Sequence, residues 1–232
     1  MSHAAISANL WITRANSQEE PITVSRMRWE NLFDDLEFQL DAEAEAELRD
    51  RERDAERQEF AHITLIERLR VCAETEAIQS ITLGGVALSM CVEMCGLDWF
   101  AGHAIGPAAY AGYLVAPVSA IENIALAQSV ARSNATEAIS RKRAMSDAVS
   151  DGSRPHLRDR IPFRIVLRDL CRRRKVVIVH TGTEDRLGTL DRVGSDHCDL
   201  ACHRSDESRR DREVAGVDVI ALGAISWVQV VA

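Results

Sequence analysis

One pattern occurs twice in this chain, and a chain that repeats it has few folds open to it. In the stretch Ile161 to Val231, the apolar residues Phe163, Val166, Leu167 and Leu170 recur at three and four residues, the period of one helix face. Strand-like runs follow at Val176–Val179, Leu187–Val193, His197–Cys202, Val217–Ala221 and Ile225–Val231. Turn-forming residues separate them, namely Gly182, Gly194-Ser195-Asp196 and Gly223. The stretch therefore predicts a short helix leading a small, strongly bent antiparallel sheet.

A diverged copy lies about a hundred residues upstream. At an offset of 98, Gly96 and Asp98 fall on Gly194 and Asp196, Val92 on Leu190, Leu69 on Leu167 and Cys72 on Leu170. After a loop six residues shorter the offset becomes 104, and Val118 falls on Leu222, Ser119-Ala120-Ile121 on Gly223-Ala224-Ile225, and Ile124 on Val228. The same order at both ends of the unit points to duplication of one supersecondary unit.

The residues Val166 to Arg174, then Leu187-Gly188-Thr189-Leu190-Asp191-Arg192-Val193, then Ala224-Ile225-Ser226-Trp227-Val228 carry a resemblance. They resemble the leading helix, the central bent strand and the last short turn into strand five of the Sm-like small β-barrels, a group within the SH3-like barrels, and among them the Hfq-type RNA chaperones of bacteria. The resemblance covers Phe163 to Val231 and, more faintly, Ile66 to Ala127. It implies two barrels, RNA as a ligand, and edge pairing between barrels.

Two departures bear on function. Where the chaperones carry a lysine-histidine pair entering strand five, this chain has Leu222-Gly223 and Val118-Ser119. Where they carry a glutamine and an aromatic after strand two, it has Asp196-His197 and Asp98-Trp99. The resemblance thus carries the fold and leaves the family's RNA pocket behind. Asp98 and Asp196 are expected to cap their own turns, and Trp99 and His197 to close one end of each barrel.

Upstream of the repeats, 1–26 reads as a disordered tail without the charged start and apolar core of a secretory signal, and Met27 is an alternative start to Met1. Ser25 is the expected cap of an acidic helix over 27–60. Its stripe of Trp29, Leu32, Phe33, Leu36 and Leu40 has helical spacing. Between Arg28 and Glu59 stand 13 acidic and 5 basic residues, a net of -8, which equals the net charge of the whole 232-residue chain. This helix is either a solvated face or a docking arm anchored by Trp29, Phe33, Leu36 and Leu40.

The first barrel is expected over 61–128, its helix continuing from His62 to Ala73. Trp99 to Ile121 contains no Asp, Glu, Lys or Arg, yet Pro107, Pro117 and its glycines interrupt it, so a membrane span is rejected in favour of a loop from Gly102 to Gly112 and a strand from Tyr113 to Val118. A linker is expected over 129–160, with a helix around Ala135 to Val149, and the second barrel over 161–232. Between Arg154 and Lys175 stand 9 basic and 2 acidic residues, a net of +7. Arg164, Arg168 and Arg172 share one side of the second helix, beside Arg173, Arg174 and Lys175. This face either grips nucleic-acid phosphates or docks on the acidic helix of the same or a neighbouring chain.

Six cysteines without a secretory signal read as reduced thiols of a cytoplasmic protein. His197-Cys198-Asp199-Leu200-Ala201-Cys202-His203 invites a zinc reading. Strand alternation instead turns Cys198, Leu200 and Cys202 inward together, so no metal is expected. Neither a Walker A lysine, a Gly-x-Ser-x-Gly turn nor a His-Glu-x-x-His helix occurs, and no catalytic residue, cofactor or small-molecule substrate is expected. The 28 basic residues include only Lys142 and Lys175 as lysines, a bias typical of bacterial genomes rich in G and C. The sequence thus predicts an α+β chain in which an acidic helix precedes two helix-led Sm-like barrels. It is expected to act as a non-enzymatic assembly or adaptor protein that binds protein partners or itself, with RNA or DNA binding through Arg164 to Lys175 as the alternative.

Overall fold

The computed structural model describes residues 20–107, 109–151, 156–203 and 214–231, with side chains from residue 32 onward except at 149, 214 and 215. The fold is α+β, and the chain divides into two compact units, Met1–Arg57 and Gln58–Ala232.

The described part of the first unit is the greater part of one long helix, α1 (Glu20–Ala61). It begins ahead of Ser25, so Ser25 sits inside the helix and does not cap it, and residues 20–26 are helical where the sequence predicted tail. The rest of that predicted tail, 1–19, lies outside the described residues. Ion pairs one turn apart run along α1: Arg51 to Glu47 at 3.1 Å, Arg53 to Asp50 at 3.0 Å and Arg57 to Asp54 at 2.9 Å. Such pairs stabilise a helix that has little packing to rely on.

In the second unit, Thr64 interrupts the predicted run of helix. Its backbone N–H donates to the Glu67 carboxylate at 2.6 Å, a capping arrangement that starts α2 (Leu65–Thr75). Strands β1 (Ile78–Leu83), β2 (Val86–Cys95), β3 (Trp99–Ile105), β4 (Gly112–Pro117) and β5 (Ile121–Ala125) follow. Then come α3 (Gln128–Ser150), α4 (Phe163–Arg172), β6 (Val176–Thr181), β7 (Asp185–Val193), β8 (His197–His203), β9 (Val214–Ala221) and β10 (Ile225–Val230).

The ten strands form one antiparallel sheet in the order β5-β1-β2-β3-β4-β10-β6-β7-β8-β9. The two barrels expected over 61–128 and 161–232 are corrected to one open sheet: pairing of β4 with β10 joins the halves, and among the described residues β5 and β9 each have a neighbour on one side only. Its two halves use one register at the offsets read from the sequence. Ile81 faces Ile124 as Val179 faces Val228, and Trp99 faces Pro117 as His197 faces Ala221. The bulges coincide as well, between Val92 and Met94 in β2 and between Leu190 and Arg192 in β7. A bulge bends its strand, so equal bulges give the halves equal curvature.

Two predicted boundaries are corrected. The loop expected from Gly102 begins at Gly106, because β3 runs on to Ile105. Gly102 belongs in the strand because a side chain there would place its Cβ 1.9 Å from the Cys91 carbonyl oxygen. The expected linker helix begins at Gln128, seven residues early, and packs on α2. Buried Asn134 accepts from Arg68 Nε at 2.8 Å and donates to the Arg68 carbonyl at 3.0 Å, and Ala138 is fully buried.

Each half has an apolar core, and each core contains residues of the other half. Leu69, Ile81, Leu83, Met90, Phe100 and Leu114 surround Trp227 of β10. Phe163, Leu167, Val179, Leu190 and Leu200 pack with Trp99, Ala101 and Val115 of β3 and β4.

Candidate interaction surfaces

The joint between the halves is a short pairing of β4 with β10, reinforced by buried side chains. β10 is buried at Ile225, Ser226, Trp227, Val228 and Gln229, without the alternation of a strand that faces water on one side. At the joint Val228 faces Val115 and Gln229 faces Leu114. Gln229 Nε2 donates to the Ala111 carbonyl at 2.8 Å, which turns its Oε1 toward His180 Nε2 at 3.3 Å. His180 is buried, holds Asp185 through Nδ1 at 2.7 Å, and stacks on Trp227 at 4.3 Å between ring centroids. Tyr110 of the first half meets both rings edge-on, at 5.8 and 5.9 Å. Edge-to-face and offset aromatic contacts of this kind add to the area they bury.

A second set of contacts crosses the joint at the Gly-x-Asp turn of the first half. Asp98 was expected to cap its own turn; instead its Oδ1 accepts the Phe163 N–H at 2.6 Å. The reason is local: Pro162 precedes α4 and offers no side-chain acceptor, so the first N–H of α4 finds one in the other half. Trp99 Nε1 and the Leu97 N–H both donate to the Ile161 carbonyl, at 2.8 and 3.1 Å. Arg70 donates to the Gly96 carbonyl at 3.0 Å and approaches Asp159 at 3.5 Å.

Among the described residues, the matching turn of the second half has none of these cross-joint partners. Asp196 accepts from His197 Nδ1 at 2.8 Å, which holds its carboxyl below the usual carboxylate range, and its side chain is 84% exposed. His197 is exposed where Trp99 is buried.

The outer edges of the sheet differ in chemistry. β9 presents Val217 and Val219, 57% and 69% exposed. Beside β5 lies a groove of about 330 Å³, lined by Leu65, Arg68 and Cys72 of α2, Ile121 and Ile124 of β5, and Asn134 of α3.

The basic residues singled out in the sequence gather on and just after α4, and most have partners within the same half. Arg168 donates to the Val193 and Gly194 carbonyls at 3.2 and 3.1 Å. Arg172 and Arg173 share the Asp169 carboxylate at 2.6 and 2.7 Å, and these two hydrogen bonds hold Asp169 below its ordinary pKa. Arg174 meets Asp191 at 3.0 Å. Arg164 and Lys175 are exposed, and Arg164 lines a shallow cavity beside Asp98 and Ser195.

Of the expected docking residues, Phe33, Leu36 and Leu40 are 58%, 43% and 63% exposed on α1, together with Phe38 at 76%. Trp29 is part of the helix, and its side chain lies outside the described residues. In β8, Cys198 and Leu200 are buried and Cys202 is half-buried, while His203 Nε2 meets Thr189 Oγ1 at 2.9 Å. Burial pushes the Cys198 thiol up to about 11. Among the described residues no three His, Cys, Asp or Glu side chains converge as a metal site, and no helix is long and apolar enough to cross a membrane.

His180 and Gln229 were not singled out from the sequence; Trp227 entered only within the segment that carries the resemblance, and Val217 and Val219 only within a strand-like run. The unbroken burial of β10 has a faint sequence signal, since Ile225 to Val230 carries no charge and shows no polar alternation. Comparison of the chain with protein-family models, with curated proteins and with solved structures found no match.

Proposed function

We propose that this chain is a non-enzymatic assembly protein built on two Sm-like halves, which binds protein partners through α1 and through the outer strands of its sheet. The observation that carries this reading is the β4–β10 joint, where strand five of one half completes the edge of the other and buries Trp227 in its core. The unit thus already uses edge-to-edge pairing as its means of association. The shared register and bulges at offsets of 98 and 104 support the duplication and the Sm-like strand order. On α1, Phe33, Leu36, Phe38 and Leu40 stand exposed on a strongly acidic helix, the composition of an arm that docks on a basic, apolar-grooved surface.

The test is Phe33→Asp with Leu36→Asp in the full chain, read by cross-linking and mass spectrometry of the complexes formed in cells. Loss of a bound protein with an unchanged melting temperature supports the arm. An unchanged set of cross-links removes it.

A second reading, binding of RNA or DNA phosphates by α4, is favoured by one observation: the side chains of Arg172, Arg173 and Arg174 remain 76%, 61% and 69% exposed despite their carboxylate partners. Exposed pairs of this kind exchange partners at little cost.

A further inference from the structure

We propose that His180 is a proton-operated latch between the two halves: with both ring nitrogens protonated it holds Gln229 against the Ala111 carbonyl, and loss of one proton releases that contact. The latch goes beyond the assembly reading and depends on no partner.

The groups around the ring leave its nitrogens little choice. The Ala111 carbonyl can only accept, so Gln229 gives it Nε2 at 2.8 Å and turns Oε1 to His180 Nε2 at 3.3 Å. On the other side of the ring the Asp185 carboxylate, an acceptor when ionised, meets Nδ1 at 2.7 Å. Both ring nitrogens therefore face oxygen acceptors. A neutral imidazole has one N–H and serves one of them, whereas the imidazolium serves both. His180 is 1% exposed, so bulk water does not relieve an acceptor left facing an acceptor there.

Loss of the proton is resolved at Gln229 and not at Asp185. The bond to Asp185 is the shorter and is made to a charged group, the stronger kind, so the remaining proton stays on Nδ1. Nε2 then offers a lone pair, which the Gln229 amide meets by turning its own N–H to the ring. That rotation brings Oε1 to the Ala111 carbonyl, two acceptors together, and the contact with the first half opens. The proton leaves to water by way of Asp185, whose side chain is 55% exposed in the β6–β7 hairpin.

The part released is coupled to the ring. Ala111 follows Tyr110, which meets His180 and Trp227 edge-on, and Trp227 stacks on His180. Gly112, next in the chain, has a φ of +127°, which suits a glycine hinge. Packed on the ring are thus Asp185 from β7, Gln229 and Trp227 from β10, and Tyr110 from the segment before β4. Asp185 is the charged group among them and Tyr110 the other titratable one. The next charges in the hairpin, Glu184 and Arg186, pair with each other, and Arg186 also with Asp218 at 3.0 Å.

The test is NMR of the full chain across a pH series, following the His180 ring nitrogens, the Gln229 side-chain amide and the Tyr110 ring. In the wild type the Gln229 and Tyr110 signals are expected to move with the midpoint of the His180 ring and not with that of any of the other six histidines. Asp185→Asn is the decisive variant. Its amide donates to Nδ1 of a neutral ring, which frees the single N–H for Gln229. The Gln229 and Tyr110 signals of this variant are expected to keep their low-pH positions after the ring has lost its proton. His180→Gln, which cannot titrate, is expected to lose the shift altogether.

A ring that passes from charged to neutral with Gln229 and Tyr110 unmoved overturns the proposal, as does a ring whose protonation never changes while the chain stays folded. An Asp185→Asn variant that responds to pH as the wild type does overturns it too. That substitution alters a side chain more than half exposed, so its reading stands even where His180→Gln fails to fold.

Discussion

The carboxylate of Asp98 accepts the backbone N–H of Phe163 at 2.6 Å, so a turn in the first half of the sheet caps a helix that belongs to the second. Replacing Asp98 by Ala is expected to cost about 1 kcal/mol, the usual worth of a helix cap. Asn, which keeps an acceptor, is expected to recover most of it. Urea unfolding midpoints of the two variants measure both effects. Equal midpoints for wild type and Asp98→Ala would show that the bond adds nothing to stability.

Trp227 joins the halves more strongly. It is 2% exposed, lies in the core of the first half and is carried by a strand of the second. Trp227→Ala is expected to destabilise the unit by about 3–5 kcal/mol, because the indole leaves a cavity that the surrounding sheet fills poorly. Since each core holds residues of the other half, residues 58–232 are expected to unfold in one transition. Calorimetry resolving two transitions in the wild type would contradict this.

The thiols divide by burial. Burial pushes Cys95 up to about 12 and Cys198 up to about 11, and raises Cys72 as well. A thiol-specific reagent near neutral pH is expected to leave these three unmodified until the chain is unfolded, while Cys91 and Cys171, both half-buried, react in the native state. For Cys95 the folded state keeps its proton longer than the unfolded chain, whose thiol has the ordinary value of 9.0. Its contribution to stability is therefore complete below pH 9 and is lost as pH rises from 9 toward 12. Melting temperature is expected to fall across that interval, and Cys95→Ala to flatten the fall.

The basic end of α4 separates the two functional readings. Arg168 is tied to two backbone carbonyls of the β7–β8 turn, so its replacement tests the fold as much as binding. Arg173→Glu with Arg174→Glu removes only exposed ion pairs, each worth less than about 1 kcal/mol. Under the assembly reading the purified protein is expected to show a protein-like 260 to 280 nm absorbance ratio at low and high salt, with or without these substitutions. A high wild-type ratio that collapses in salt, and is lost in the double variant, would establish phosphate binding instead.

Gly102 tests the close approach of β3 to β2. A Cβ there would meet the Cys91 carbonyl carbon as well as its oxygen, both backbone atoms that cannot swing aside. Gly102→Ala is expected to destabilise by about 1–3 kcal/mol, the cost of overpacking. Gly216, with open space around it, is expected to accept Ala far more readily, and paired thermal melts compare the two.

Much of the architecture was legible because it rests on local rules. Apolar spacing located the helix at Phe163 to Leu170, turn residues separated the strands of the second half, and the offsets of 98 and 104 reappear in the strand registers. The Gly-x-Asp turns were legible too, since a side chain at Gly96 would strike the Trp99 indole and one at Gly194 the His197 ring. β3 continues past Gly102 because its neighbour, not its own propensity, demands glycine there, and α1 starts before Ser25 because a good capping residue is not obliged to cap.

The sequence by itself determined the elements, their order and the correspondence between the halves, because periodicity and turn chemistry act over a few residues. Only the tertiary structure decided that the halves share one sheet, that Asp98 serves Phe163 and not its own turn, and that Arg168 is spent on two carbonyls. It also decided that Val115 is covered while Val219 is bare. Those outcomes depend on which strand lies beside which, and hydrogen-bonded edges carry no sequence code of their own until their side chains meet a neighbour.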